Sequence, residues 1–127
     1  MRALLDTHAL LWWATLDPKL SRKARAAIAD DRTDVYVSAA SAWEIATKVR
    51  IGKLVWPATA GSVADYVVGQ AFRPLPISVQ HAERAGLLRI EHRDPFDRML
   101  VAQALTDDLV LVSNEAVFDA AGVRRYW

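Results

Sequence analysis

The sequence predicts an α/β fold in which a central, mostly parallel sheet carries helices on both faces, all within one domain spanning residues 1–127. Three observations predict it. Short apolar or β-branched runs alternate with helix-periodic segments along the whole chain. No repeat, low-complexity tract or linker interrupts that alternation. A chain of 127 residues, 53% hydrophobic and 24% charged, also suits one core rather than two.

The elements follow in order. Arg2 to Asp6 is a short apolar run ending in a carboxylate, and His8-Ala9-Leu10-Leu11-Trp12-Trp13 after it predicts a buried helix behind a strand. Asp17-Pro18 breaks the pattern, and Ser21 is placed to cap a basic helix over 22–29. Val35-Tyr36-Val37 reads as a strand. The segment 38–51 reads as a helix with Ala42, Ile45, Ala46 and Val49 at helical spacing, stopped by Gly52. A further helix is expected over 61–72, then an extended piece at Leu75-Pro76-Ile77. Ser78 caps the next helix, which carries Val79, Ala82, Ala85 and Leu88. Asp94 before Pro95 opens a helix through Thr106, because Asp caps well and Pro lacks only an amide that the first turn cannot use. Leu109 to Ser113 is a continuous apolar strand, 116–121 a short helix, and Val123 begins a last extended segment.

Composition removes several classes of chemistry. No Cys is present, so disulfides, thiolate metal sites and thiol nucleophiles are excluded. Sixteen Lys plus Arg against fifteen Asp plus Glu leave a net charge of +1, so any nucleic-acid site is local rather than a matter of bulk charge. No window approaches a charge-free span of about 20 residues, and no long apolar leader opens the chain, which predicts a cytoplasmic protein without a membrane span.

In a parallel sheet, ligands collect at the carboxyl ends of the strands. Four acids fall there: Asp6 ends the first strand, Glu44 lies on the helix after the second, Asp97 starts a late helix, and Glu115 follows the last long strand. Carboxylates about 4 Å apart repel by roughly 4 kcal/mol at an effective dielectric of 20, so protons or cations must compensate. Oxygen donors without Cys or paired His favour magnesium, with manganese as a substitute, and hence phosphodiester hydrolysis by metal-activated water rather than acyl transfer. Each acid also has a structural reading. Asp6 suits a helix cap, and Glu44 completes a capping-box pattern with Ser41 and stands four residues before Lys48. Asp94 is a cap in its own right, Asp97 sits where a helix dipole favours an acid, and Glu115 suits a loop or helix start. His8 and His92 stand beside the acids, as orienting groups or as general bases. Lys48 and Arg98 border the site, either as contacts to a substrate phosphate or as charge balance. Asp6 as a phosphotransfer nucleophile is disfavoured, since that chemistry wants a second acid where His8 stands.

Three stretches carry a family resemblance: Leu4-Leu5-Asp6-Thr7-His8, Ser38-Ala39-Ala40-Ser41-Ala42-Trp43-Glu44-Ile45, and His92-Arg93-Asp94-Pro95-Phe96-Asp97-Arg98-Met99-Leu100-Val101-Ala102-Gln103-Ala104. In that order, and closed by Leu111-Val112-Ser113-Asn114-Glu115-Ala116-Val117-Phe118, the chain resembles PIN-domain toxins of the VapC type. The resemblance implies a three-layer α/β/α fold, a magnesium-dependent endoribonuclease acting as the toxin of a bacterial toxin–antitoxin module, and a metal cluster from Asp6, Glu44 and Asp97. Glu115 joins the catalytic set, and Thr7, Asp94 and Ser113 support it. The fourth motif departs from the family pattern: Ser113, Asn114 and Glu115 stand where Thr, a variable residue and Asp are usual. The alternative is therefore a non-catalytic RNA- or antitoxin-binding module on the same fold. Implied partners are RNA, a cognate VapB-type antitoxin held in a groove near the acids, and a second copy in a homodimer. Of the five tryptophans, most are expected in the core, with Trp12 or Trp13 lining the antitoxin groove.

Overall fold

A computed structural model describes residues 1–127. Five strands form one parallel sheet: β1 (Arg2–Leu5), β2 (Asp34–Ser38), β3 (Arg73–Leu75), β4 (Val110–Val112) and β5 (Arg125–Tyr126), in spatial order β3-β2-β1-β4-β5. Six helices connect them: α1 (Thr7–Ala14), α2 (Arg22–Ala29), α3 (Ala39–Arg50), α4 (Val63–Gly69), α5 (Val79–Leu87) and α6 (Pro95–Thr106), with single 3-10 segments at Ala58–Ala60 and Ala116–Ala121.

Alternation along the strands sorts the core into two layers. Ala3, Leu5, Val35, Val37 and Val112 join Ala9, Leu10, Ala24, Ile28, Val67 and Phe72 on the face covered by α1, α2 and α4. Leu4 and Leu111 point the other way, to Leu100, Val101, Ala104 and Phe118 under α6. The architecture is the expected three-layer α/β/α fold. Helix α3 straddles the layers, with Ala40 in one cluster and Ile45 in the other, so it lies across the carboxyl edge of the sheet.

Helices begin where a side chain caps them. Ser21 accepts from the Ala24 amide, and Asp94 Oδ1 accepts from the amides of Phe96 and Asp97, so α2 and α6 begin where expected. Gly52, with φ of 75°, follows the last turn of α3.

Other expectations need correction. Ser41 is not a cap. Ser38 is, accepting from the Ala40 amide, so the Ser41–Glu44 pair lies inside α3 and forms no capping box. Ala46 and Val49 are exposed; the buried face of α3 is Ala40, Ser41, Glu44 and Ile45, a stripe with two polar members. On α5, Val79 is exposed and His81 and Ala85 face inward. A buried histidine outranks the valine because its ring is fully bonded, accepting from the Ser78 amide and pairing with Asp107 at 3.1 Å. The strand near 75 is Arg73–Leu75, ahead of Pro76 and Ile77. No helix is long and apolar enough to cross a membrane.

Candidate active site

Register sets the site. Leu5 pairs with Val37 on one side and Val112 on the other, so Asp6, Ser38 and Ser113 emerge side by side one residue later. The chain walks outward from β1 to β2 to β3 and then crosses back to β4, leaving its reversal beside β1, where open parallel sheets hold ligands.

Asp6 is buried and caps α1, its Oδ1 accepting from the Ala9 amide at 2.7 Å. Burial pushes its carboxyl up to about 6; the Ser113 hydroxyl, the Ala9 amide and the charge of His8 oppose the rise, and Asp97 adds to it. Thr7, also buried, donates to Ser41 Oγ at 3.0 Å and so ties α1 to α3. Glu44 projects from α3 into the same buried edge. Lys48, one turn on, donates to its Oε2, while Oε1 is the one buried side-chain polar atom in the chain with no hydrogen-bond partner.

Asp97 comes from the first turn of α6 and is hydrogen-bonded through Oδ2 to His92 Nε2 at 2.7 Å. Burial, with the charges of Asp94 and Glu44, holds its carboxyl above the usual range against that bond. His92 thus orients an acid, whereas His8 is exposed, stacks on Trp12 and reaches Asp6 only by its charge. Ser113 is buried beside Asp6 and also accepts from the Glu115 amide. Glu115 itself is half-buried and is not among the charges acting on Asp6 or Asp97.

The structure therefore brings Asp6, Glu44 and Asp97 into one electrostatic neighbourhood, but no three of the chain's His, Asp and Glu side chains stand close enough to hold a metal ion. Each acid is instead engaged locally: Asp6 by an amide, Glu44 by Lys48 and Asp97 by His92. Mutual repulsion makes that spacing the low-energy one. The donors nonetheless fit a hard cation: all are oxygen, one is a buried atom lacking any partner, and two carboxyls are pushed up by burial and by neighbouring carboxylates, Asp6 by Asp97 and Asp97 by Asp94 and Glu44.

Two basic residues behave differently from each other. Lys48 stays at the site. Arg98 turns away and gives its guanidinium to the carbonyls of Ala85, Gly86, Leu88, Ile90 and His92, fastening the connection between α5 and α6 instead of facing a phosphate or balancing Asp97. Sequence reading missed this anchor, and also Ser41 and Gln103, whose buried amide joins Ser38 to the Pro76 carbonyl. Nothing but three-dimensional proximity signals such pairs.

Residues 3–123 match the PIN domain family. The chain belongs to that family. Ribonuclease VapC16 of Mycobacterium tuberculosis (strain ATCC 25618 / H37Rv) is 42% identical over 74 residues, covering 54% of this PIN domain chain and 50% of that protein. The chain spans about half the length of that relative. Among solved structures, VapBC2 from Rickettsia felis bound to a DNA fragment from their promoter superposes with a TM-score of 0.72 at 15% identity, covering 100% of both chains. FitAcB from Neisseria gonorrhoeae gives 0.63 at 21% identity over 98% of this chain and 96% of that one. VapC20 of Mycobacterium tuberculosis, described as a sarcin-ricin loop cleaving toxin, gives 0.62 at 18% over 95% of each. At such identities the structures share this PIN domain's fold.

Proposed function

We propose that this PIN domain is a magnesium-dependent endoribonuclease, the toxin of a toxin–antitoxin module. The observation that carries the proposal is Glu44 Oε1, a buried oxygen without a partner, in the neighbourhood of two carboxyls that burial holds above their usual range. Asp6, Glu44 and Asp97 would hold the divalent ion, with manganese able to replace magnesium. When bound, the ion supplies charge neutralisation and an activated water for phosphodiester hydrolysis. Around it, His92 orients Asp97, Ser113 hydrogen-bonds to Asp6, Thr7 fixes α1 against α3, Asp94 holds the start of α6, and Lys48 offers a cation to substrate phosphate. Glu115 completes the proposed catalytic set from the segment after β4.

The partner proposal extends the reading: a VapB-type antitoxin covers the acids, with Trp12, half-buried between His8 and Trp127, at its groove, and the toxin pairs with a second copy. Support comes from the VapBC2 and FitAcB folds.

The test is cleavage of structured RNA by partner-free protein with magnesium or manganese, with EDTA, and by a folded Asp97→Asn variant. Cutting that needs the metal and is lost in the variant supports the assignment; cutting that survives in Asp97→Asn refutes this site. A second reading, the non-catalytic binding module, is favoured by the spacing of the acids and by Ser113-Asn114-Glu115. RNA binding without cleavage under every metal condition would establish it instead.

A further inference from the structure

Trp43 is the most exposed tryptophan in the chain, with 62% of its surface accessible, and it is the sequence neighbour of the buried Glu44. Its ring packs edge-on against Phe96, centroids 4.9 Å apart and planes at 80°, and Phe96 is the sequence neighbour of Asp97. Two consecutive aromatic–acid pairs, Trp43-Glu44 and Phe96-Asp97, thus come together from different helices, the indole at the surface and the acids further in.

We infer that the Trp43–Phe96 pair is a stacking platform for one unpaired base of the RNA, adjoining the phosphate that is cut. The inference rests on the ribonuclease reading above. Three features single out a nucleobase. A T-shaped partner fixes the indole, so a flat ring meets an already oriented surface with little entropy lost. The outer surface of α3 is cationic: Glu44, its one acid, is buried and held by Lys48, while Arg50 and, in the turn beyond the helix, Lys53 are exposed. Arg50, seven residues after Trp43, stands about 10 Å along the same side of the helix, within reach of a phosphate flanking the stacked base. Aromatic faces interleaved with cations suit a single strand, whose bases are free to splay out, better than a duplex.

The test uses full-length protein in EDTA with 5′-labelled hexauridylate and hexaadenylate, followed by anisotropy and by tryptophan emission. Trp43→Ala is expected to weaken binding about tenfold or more, Trp43→Phe to recover most of it, and the emission quench on binding to shrink in both. With metal, Trp43→Ala should raise KM on single-stranded RNA and leave kcat near the parent's. Parent protein that binds and cuts RNA, with Trp43→Ala equal to it, overturns the platform while the ribonuclease reading stands. Parent protein that neither binds nor cuts RNA overturns both. A self-associated parent that Trp43→Ala turns monomeric, with RNA affinity unchanged, assigns the ring to a second copy and overturns the inference.

Discussion

One carboxylate, Asp6, serves two roles that pull in opposite directions: it caps α1 as an acceptor, yet it is buried where ionisation is costly. Its carboxyl titrates near 6 in the fold against 3.8 as a free group. The folded form then binds more protons than the unfolded one between those values, so this group's contribution to stability falls as pH rises from about 4 to 6 and stays low above. Without divalent cation, Asp6→Asn should be more stable than the parent by about 2–3 kcal/mol at pH 7.5, the gain fading at pH 4, as read from urea midpoints. Asn keeps an acceptor for the Ala9 amide, so the cap is not the variable. A parallel expectation concerns Glu44. Lys48→Met should destabilise by about 1–3 kcal/mol because it strands a buried charge, and adding Glu44→Gln should restore much of the loss in a double-mutant cycle. The acids themselves were legible because each lies within a recognisable motif. Hydrogen-bond partners were legible only where spacing reveals them: Lys48 at i+4 of Glu44 was, while the pairing of Thr7 with Ser41 across two helices was not.

Helix ends followed from single side chains, and helix faces did not. Ser21 and Asp94-Pro95 fix the starts of α2 and α6 by local hydrogen bonding, which sequence displays. Orientation depends on what the sheet presents, and so α3 turns Ser41 and Glu44 inward while Val49 and Ile51 stay exposed. An apolar periodicity argument places such a polar face outside, and it is at the edge carrying the candidate site that it fails. The segment from Leu88 to Asp94 has no regular structure of its own and is held by Arg98. Arg98→Lys should therefore behave almost like Arg98→Ala, since one ammonium cannot serve five carbonyls in a planar fork. Both should lose about 2–4 kcal/mol in denaturant titration and speed amide exchange from 88 to 94, before any change in α2.

The fold class was implied by the alternation of strand and helix, and the candidate site by motif order, whereas the strand order β3-β2-β1-β4-β5 and the distances among the acids belong to the assembled molecule. If Asp6, Glu44 and Asp97 take up a cation, the whole domain gains from it. Magnesium at a hundred times its dissociation constant should raise stability by about 2.7 kcal/mol, visible as a Tm increase over matched sodium chloride. Glu44→Gln should abolish the increase; a rise that persists in that variant would place the ion elsewhere. The parallel sheet has one more effect. Its central strand pairs Leu5 with Val112, so Asp6 cannot meet Ser113 until 107 further residues have been made. At about 5–20 residues per second on a ribosome, that is a wait of roughly 5–20 s. A nascent chain therefore displays Asp6 long before Ser113 exists and holds no assembled site, so the chemistry proposed for this edge could not begin on the machinery that is still producing the chain.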